Sequence, residues 1–234
     1  MSHIRLAYII DNLDRGGTQT WFRLLTAGLQ TRGYDQHVFC LNGTFHPEVV
    51  AAIRLACTQV EIIGRPRLFA GIGVLQLWRE LQQLKPDLVM TILPYGDLLG
   101  RPLARAAGAP RVVSSIQTRY ADKWPIQRWL DRLTARWLDL AICVAEEIVP
   151  YTVTQEGIRP EKTCAIPNGV PVTPPPDPDR RQTIRHRHGI APKTILCGCV
   201  ARLAPQKGLA DLLAAFAQVR NSSRPDLHLW IVGD

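Results

Sequence analysis

The sequence predicts an α/β protein in which a doubly wound, Rossmann-like parallel sheet is followed by part of a second Rossmann-like domain. Two observations predict this fold class. Short apolar runs alternate with longer amphipathic segments along most of the 234 residues, which is typical of parallel strands joined by crossover helices. A proline-rich stretch at 171–178 interrupts this pattern, and the pattern then resumes. We therefore expect two α/β units joined by a linker.

The first part of the chain contains seven predicted strands and six predicted helices. The strands are predicted at 4–10, 36–41, 60–63, 87–92, 111–116, 138–144 and 163–166. The helices are predicted at 18–31, 47–56, 72–84, 97–107, 125–137 and 146–156. Thr18 is the expected N-cap of the first helix, which follows Gly16 and Gly17, and Gly33 is its expected stop.

The proline-rich stretch separates this first domain from a shorter one. Proline fixes φ and has no backbone N–H, so 172–178 can continue neither a sheet nor a helix. We predict an N-terminal domain at 1–171, a linker at 172–178 and a C-terminal domain at 179–234. The last contains predicted helices at 179–188 and 209–220 and strands at 194–200 and 227–232, which are too few for a complete doubly wound sheet.

Composition narrows the class of protein. Hydrophobic residues make up 46% and charged residues 21% of the chain, as in soluble globular proteins. The N-terminus leads directly into a strand without a signal peptide, and the six scattered cysteines are expected to be reduced core residues. Together these features predict a cytoplasmic protein. The net charge of +8 favours anionic partners, but no strand shows the aromatic pattern of single-strand binders, so nucleic acid is not expected.

Metal binding is not expected either. Cys197 and Cys199 form a C-x-C pair without two further ligands. His186 and His188 lie in a basic, polar helix, where histidines are usually solvated.

The loop at 11–17 is the first candidate site. Gly16 and Gly17 allow the backbone to approach a ligand closely, and the following helix points unpaired N–H groups and its positive dipole end at the same place. The loop is either a phosphate- or sugar-binding turn or a tight strand-to-helix connection. The chain lacks both the dinucleotide-binding G-x-G-x-x-G pattern and the P-loop motif, which argues against nicotinamide chemistry and P-loop hydrolysis.

A second candidate site is the loop between the strand at 194–200 and the helix at 209–220. Arg202 and Lys207 both belong to it. A guanidinium group, an ammonium group and helix N–H groups can converge there on one diphosphate. The alternative is a solvated surface loop that carries two cations.

Four stretches together resemble the GT-B-fold glycosyltransferases of family 4. The stretches are 16–18, 138–144, 166–170 and 200–208. Their order and spacing are similar to the family along essentially the whole chain, and the last two are the most specific. The resemblance covers the N-terminal domain and a truncated start of the C-terminal, donor-binding domain.

This resemblance implies a retaining, metal-independent glycosyltransferase of the hexosyltransferase type, which needs no cofactor. Such an enzyme moves a sugar from a nucleotide-diphosphate donor to the hydroxyl of a glycan or a lipid-linked glycan, as in polysaccharide biosynthesis. Arg202 and Lys207 match the cations that neutralise the departing diphosphate. Gly16 and Gly17 match the loop whose backbone binds the donor. The acceptor is expected mainly against the N-terminal domain.

The chain departs from the family at three positions. Gln117 lies where members often have a histidine near the reacting sugar, and glutamine can hydrogen-bond but cannot titrate near neutral pH. Gln117 is nevertheless a third catalytic candidate. Ala145 replaces the usual serine, and the Glu-x₇-Glu element lies beyond residue 234. We therefore expect little or no transfer by these residues alone, and the alternative function is a non-catalytic nucleotide-sugar or glycan-binding module.

The predicted helix at 125–137 permits two interpretations. Arg128, Arg132 and Arg136 recur every four residues, whereas Trp129 belongs to an apolar stripe on the opposite side. A basic interfacial helix would suit a lipid-linked acceptor and peripheral contact with the inner membrane face. A crossover helix with its apolar side packed on the sheet and its arginines in water is the other interpretation.

Overall fold

The computed structural model describes residues 4–120, 123–175, 177–222 and 226–233. The chain divides into two units, Met1–Pro171 and Val172–Asp234. A seven-stranded sheet lies in the first unit and a two-stranded sheet in the second.

All strands of the first unit are parallel, in the order β3-β2-β1-β4-β5-β6-β7. They are β1 (Arg5–Ile10), β2 (Asp35–Cys40), β3 (Gln59–Ile62), β4 (Leu88–Ile92), β5 (Val112–Ile116), β6 (Leu140–Cys143) and β7 (Thr163–Ala165). The prediction of a doubly wound parallel sheet is confirmed, and every predicted strand is present. The central strand β1 pairs with β2 on one side and with β4 on the other.

Seven helices of the first unit connect these strands within the described ranges. They are α1 (Gly17–Gln30), α2 (Pro47–Arg54), α3 (Arg65–Phe69), α4 (Ile72–Leu84), α5 (Pro94–Ala106), α6 (Pro125–Thr134) and α7 (Val149–Glu156). Short 3-10 turns, Ala135–Trp137 and Glu146–Ile148, occupy parts of two predicted helices. Helix α3 was not predicted, because five residues are too few to show a helical period.

The N-cap prediction for α1 is wrong. Gly16 occupies the N-cap in an extended conformation, and no side chain caps the helix. Thr18 lies inside the first turn instead, because the helix already begins at Gly17.

Both faces of the large sheet are buried, which explains its nearly continuous apolar strands. Tyr8 and its alternate neighbours in β1 face α1 and α2, where Phe22 packs edge-on against the Tyr8 ring at 5.0 Å. Ala7 and Ile9 face the opposite side, where α4 and α5 contribute Leu77 and other buried residues.

The second unit begins with a basic helix. Its elements are α8 (Pro178–Arg187), β8 (Ile195–Val200), α9 (Leu209–Ser222) and β9 (Leu227–Val232). The side chain of Asp177 caps α8 by accepting a hydrogen bond from the Asp179 N–H at 2.9 Å. Strands β8 and β9 pair in parallel over six residues each, so α9 is the crossover helix between them.

The six cysteines are all free. Cys40 and Cys143 are buried as expected, whereas Cys197 is exposed, so the core interpretation is wrong for that residue. No helix within the described ranges is long and apolar enough to cross a membrane.

Replacing Phe22 by alanine should destabilise the first unit. The side chain is completely buried, and removing a buried phenylalanine costs about 3–5 kcal/mol because a cavity remains. Phe69→Ala is the matched control, since Phe69 is 88% exposed and should change stability by no more than about 0.5 kcal/mol. Urea unfolding of both variants measures the difference, and equal midpoints would contradict this packing.

Candidate functional site

The loop Asp11–Gly17 follows β1, the strand at which the strand order of the sheet reverses. Connections from β1 lead to β2 on one side, whereas β4 and the later strands lie on the other. Ligands of open α/β sheets bind outside the carboxyl ends of the strands at such a point. Two elements begin there, because α1 follows β1 and α5 follows β4.

Asp11 connects these elements by capping α5 from the neighbouring strand. Its buried carboxylate accepts hydrogen bonds from the N–H groups of Tyr95 at 3.1 Å and Gly96 at 2.5 Å. These are orphan donors in the first turn of α5, which its own N-cap, Leu93, cannot satisfy. The acceptor for this helix therefore comes from a residue more than 80 positions earlier.

The backbone at this junction is under local strain. Leu93 has a φ of 72°, in the left-handed region that bulky residues rarely adopt. Such a conformation costs on the order of 1–3 kcal/mol and tends to occur at functional sites. Position 96 has no room for a side chain, because an added Cβ would lie 2.7 Å from the Ile9 carbonyl oxygen.

Burial makes the carboxyl group of Asp11 a weaker acid than that of an ordinary aspartate. It raises the pKa of Asp11 to about 7, although the two N–H donors act in the opposite direction. The nearby Asp97 raises the pKa further, and Lys123 lowers it. The carboxyl group is thus about half protonated near neutral pH.

Gly16 and Gly17 leave the start of α1 bare. An added Cβ on Gly17 would meet nothing within 4 Å, and one on Gly16 would meet only the end of the Gln19 side chain. Packing therefore does not require glycine at position 17. Since the helix also lacks a side-chain cap, its first N–H groups are available to an anion or a sugar oxygen.

Gln117 connects the end of β5 to the stretch 166–170 through hydrogen bonds of its side-chain amide. Its Nε2 donates to Ser115 Oγ at 2.7 Å, and its Oε1 accepts from Asn168 Nδ2 at 3.0 Å. The end of β5 is thus connected to the motif at 166–170. Among the described residues, one amide hydrogen and one lone pair of Gln117 have no partner and could bind a ligand.

A buried polar cluster lies beneath this edge, and the sequence interpretation missed it. Arg101, which is only 1% exposed, forms an ion pair with Asp97 at 3.3 Å, and its Nε donates to Ser114 Oγ at 2.8 Å. Thr91 Oγ1 also donates to Asp97 at 2.5 Å. The i,i+4 spacing of Asp97 and Arg101 was the available signal.

Lys123 forms a second group of buried charges together with Asp131 and Glu156. Its Nζ lies 2.7 Å from an Asp131 oxygen and 2.8 Å from a Glu156 oxygen. Burial alone would lower the pKa of Lys123, but the two carboxylates more than offset it, and the pKa is raised. Burial raises the pKa of Glu156, against the effect of Lys123.

The ion pairs of Lys123 turn a polar face of α6 inward, so the interpretation that packs the apolar side of this helix on the sheet is wrong for Trp129, and membrane contact stays a prediction. Asp131 and Thr134 form the buried face, whereas Trp129 is exposed. Arg132 donates to backbone oxygens near the end of α7, and Arg128 donates to the Gln155 side chain there. Trp129 therefore points outward, Leu130 and Leu133 are half-buried, and Arg128 and Arg132 connect the helix to α7.

Arg202 and Lys207 occupy one loop of the second unit, as predicted. The loop leaves β8, forms a 3-10 turn at Pro205–Lys207 and enters α9 through Gly208, whose φ is 63°. Both cations are exposed, and within the described part of the chain neither forms a hydrogen bond or an ion pair through its side chain. They lie at the carboxyl end of β8, the ligand-binding edge of a parallel sheet.

A large groove of about 1020 Å³ lies elsewhere in the second unit. Its walls are the proline-rich segment, α8 and the beginning of β8. It is thus at the amino end of β8, away from the loop that carries Arg202.

The family follows from comparison with known sequences. The sequence profile of Glycosyltransferase Family 4 matches residues 15–174. The chain belongs to this family. A second profile, Glycosyl transferases group 1, matches residues 180–234. The resemblance stated from the sequence motifs is thereby confirmed.

Two family relatives have assigned activities. The UDP-Gal:alpha-D-GlcNAc-diphosphoundecaprenol alpha-1,3-galactosyltransferase of Escherichia coli is 28% identical over 248 residues, which cover 100% of this chain and 62% of that enzyme. The GDP-mannose-dependent alpha-(1-6)-phosphatidylinositol monomannoside mannosyltransferase of Mycolicibacterium smegmatis is 34% identical over 143 residues, 58% of this chain and 35% of that enzyme. The chain thus spans less than two thirds of the length of either relative.

Solved structures confirm the predicted GT-B-like, Rossmann-like fold. The crystal structure of Anabaena HepE in complex with UDP and glucose matches with a TM-score of 0.78 at 19% identity, covering 99% of this chain and 61% of that one. A glycosyltransferase from Rickettsia africae matches with a TM-score of 0.74 at 13% identity, covering 100% and 61%.

The side chains that could bind a metal ion are dispersed over the described residues. Within residues 4–120, 123–175, 177–222 and 226–233, no group of three or more His, Cys, Asp or Glu side chains is arranged to hold a metal ion.

Replacing Asp11 by asparagine should flatten the pH dependence of stability. The folded state keeps Asp11 protonated up to about pH 7, whereas the ordinary aspartate pKa is 3.8. The wild-type carboxyl group therefore contributes stability that is full below about pH 4 and is lost as the pH rises through 7. Asparagine stays neutral throughout.

The measurement is urea unfolding at several pH values between 4 and 8. The stability of the wild type relative to Asp11→Asn should fall across this window. Asp14→Asn, at an exposed position of the same loop, should give a curve parallel to the wild type. Parallel curves for Asp11→Asn as well would contradict the assignment.

Proposed function

We propose that this protein is a retaining glycosyltransferase that moves a hexose from a nucleotide-diphosphate donor to an acceptor hydroxyl without a metal ion. Family membership supports the reaction class. The observation that carries the proposal is the pair of exposed cations, Arg202 and Lys207, in one loop at the carboxyl end of β8.

Arg202 and Lys207 have the chemistry that a departing diphosphate needs. A guanidinium group forms paired hydrogen bonds with phosphate oxygens, and an ammonium group supplies a compact positive charge. Negative charge grows on the diphosphate as the glycosidic bond breaks, so both cations would stabilise the transition state more than the ground state. In the first unit, the bare N–H groups after Gly16 and Gly17 suit a phosphate or sugar oxygen of the donor.

Gln117 supports a second candidate function, a non-catalytic nucleotide-sugar or glycan-binding module. Its amide group already bonds to Ser115 and Asn168, and it cannot exchange a proton near neutral pH. Such a module would bind the donor without turnover. Measured transfer of labelled sugar by the full-length protein would decide between the two functions.

We propose a glycan or lipid-linked glycan as the acceptor, used at the cytoplasmic face of a membrane. The E. coli relative acts on a diphosphoundecaprenol-linked sugar, and the free cysteines suit a reducing compartment. Three exposed apolar side chains at the start of α6 support peripheral contact with the bilayer, namely its N-cap Trp124, Ile126 and Trp129, and the same helix carries arginines. Tryptophan side chains favour the interface between water and lipid.

Removing either cation should weaken donor binding. Hydrogen bonds to charged groups contribute about 1.5–3 kcal/mol, so Arg202→Ala and Lys207→Ala should each weaken the affinity for UDP or GDP by roughly 10- to 100-fold. Titration calorimetry measures this. Arg220→Ala is the control, because Arg220 lies at the opposite end of α9 from Lys207. Unchanged binding in both variants would refute the diphosphate site.

Replacing both exposed tryptophans of α6 by serine should release the protein from anionic membranes. Vesicles of phosphatidylglycerol and phosphatidylcholine should sediment the wild type, pure phosphatidylcholine vesicles should sediment less of it, and Trp124→Ser/Trp129→Ser should stay in solution. Leu55→Ser removes an apolar side chain that is at least as exposed, from the C-cap of α2, and should sediment like the wild type. Equal sedimentation of all three proteins would exclude α6 as the contact.

A further inference from the structure

A groove of about 390 Å³ opens at the carboxyl edge of the large sheet, and no predicted site residue lines it. Its walls come from the end of β2 and from α3, α4 and α5. Six of the nine lining residues are leucine, valine or phenylalanine, and the other three are Asn42, Arg65 and Tyr95. This volume is within the range of small-molecule sites, about 300–1,000 Å³.

The apolar lining continues onto the outer surface of α3 and α4. Phe69, on the groove wall, is 88% exposed, and Ile72 and Leu75 follow it at three-residue intervals with 63% and 44% exposed. Isolated exposed apolar residues are common, but three of them on the two helices that also line a groove are typical of a binding surface. A purely polar ligand such as a sugar would not make use of it.

One cation stands at the rim of this groove. Arg65 is the first residue of α3 and is exposed. Over the described ranges its guanidinium group has neither a hydrogen bond nor an ion pair, so its donors are free. A free guanidinium group beside an apolar groove is complementary to a ligand that joins a phosphate to a hydrocarbon chain.

The groove also adjoins the loop that carries Gly16 and Gly17. Tyr95 lines the groove, and its N–H donates to the Asp11 carboxylate. Asn42 lines it as well, and its N–H donates to the Asp11 carbonyl oxygen at 2.8 Å. A ligand in the groove would therefore have one end beside the candidate site.

We propose that this groove binds the isoprenoid chain of a polyprenyl-phosphate-linked acceptor, with Arg65 on the phosphate. The inference rests on the proposed function, because it takes the acceptor to be lipid-linked. The apolar walls take up the methyl-branched chain, the exposed Phe69, Ile72 and Leu75 carry it outward, and the sugar end points toward the Asp11–Gly17 loop.

Farnesyl phosphate, used below its micelle concentration, tests the proposal by titration calorimetry on the intact chain. Phe69→Glu should weaken its binding at least tenfold, because a carboxylate would face the chain. Leu55→Glu is the matched control with the same change at a site that is 80% exposed and outside the groove. Both positions are exposed enough to leave folding intact.

Arg65→Gln should weaken farnesyl phosphate binding at least tenfold, whereas Arg67→Gln, on the same helix but outside the lining, should leave it unchanged. Farnesol and dodecyl phosphate should bind the wild type more weakly than farnesyl phosphate. Undetectable binding, equal losses in each variant and its control, or equal affinity for all three compounds would each overturn the proposal.

The same variants separate this proposal from the proposed function. Phe69→Glu and Arg65→Gln should retain wild-type affinity for UDP or GDP, which tests Arg202 and Lys207 instead. Loss of nucleotide binding in Arg202→Ala with intact farnesyl phosphate binding would support both sites independently. Farnesyl phosphate binding that ignores Phe69→Glu would refute the groove and leave the donor site standing.

Discussion

The hydrogen bonds from Tyr95 and Gly96 to the Asp11 carboxylate connect the central strand of the large sheet to α5. They satisfy two buried N–H groups that Leu93, in a strained conformation, cannot satisfy. Gly96 permits the close approach, since any Cβ there would collide with the Ile9 carbonyl oxygen. The groove wall at Tyr95 and the start of the Asp11–Gly17 loop therefore depend on the same carboxylate.

A second constraint acts through buried charge on the other side of α5. Lys123 between Asp131 and Glu156 turns the polar side of α6 inward. Removing Lys123 would leave two buried carboxylates without their cation, which costs several kcal/mol. The arrangement leaves the tryptophan side of α6 facing outward, where an ordinary crossover helix would carry polar groups.

The two units present different chemistry. The first combines acidic and amide groups with apolar surfaces, which supports the acceptor that we propose. The second presents two exposed cations, Arg202 and Lys207, at the carboxyl end of β8, and among the described residues their side chains have no hydrogen-bond or ion-pair partner, which supports the proposed diphosphate site. This division agrees with the two family profiles, which match residues 15–174 and 180–234.

Local patterns in the sequence determined the strands, most helices and the family, and they located the Arg202–Lys207 and Gly16–Gly17 loops. Short apolar runs, a period of 3.6 residues and short motifs are all visible within a few positions. Only the tertiary structure decided which side chains meet. Asp11 and Gly96 are 85 residues apart and Gln117 and Asn168 are 51 apart, so no local pattern joins them. Helix α3 was too short to show a period, and the inward face of α6 was decided by the charge on Lys123. Contacts of this kind arise from the packing of distant segments, which a linear pattern does not encode.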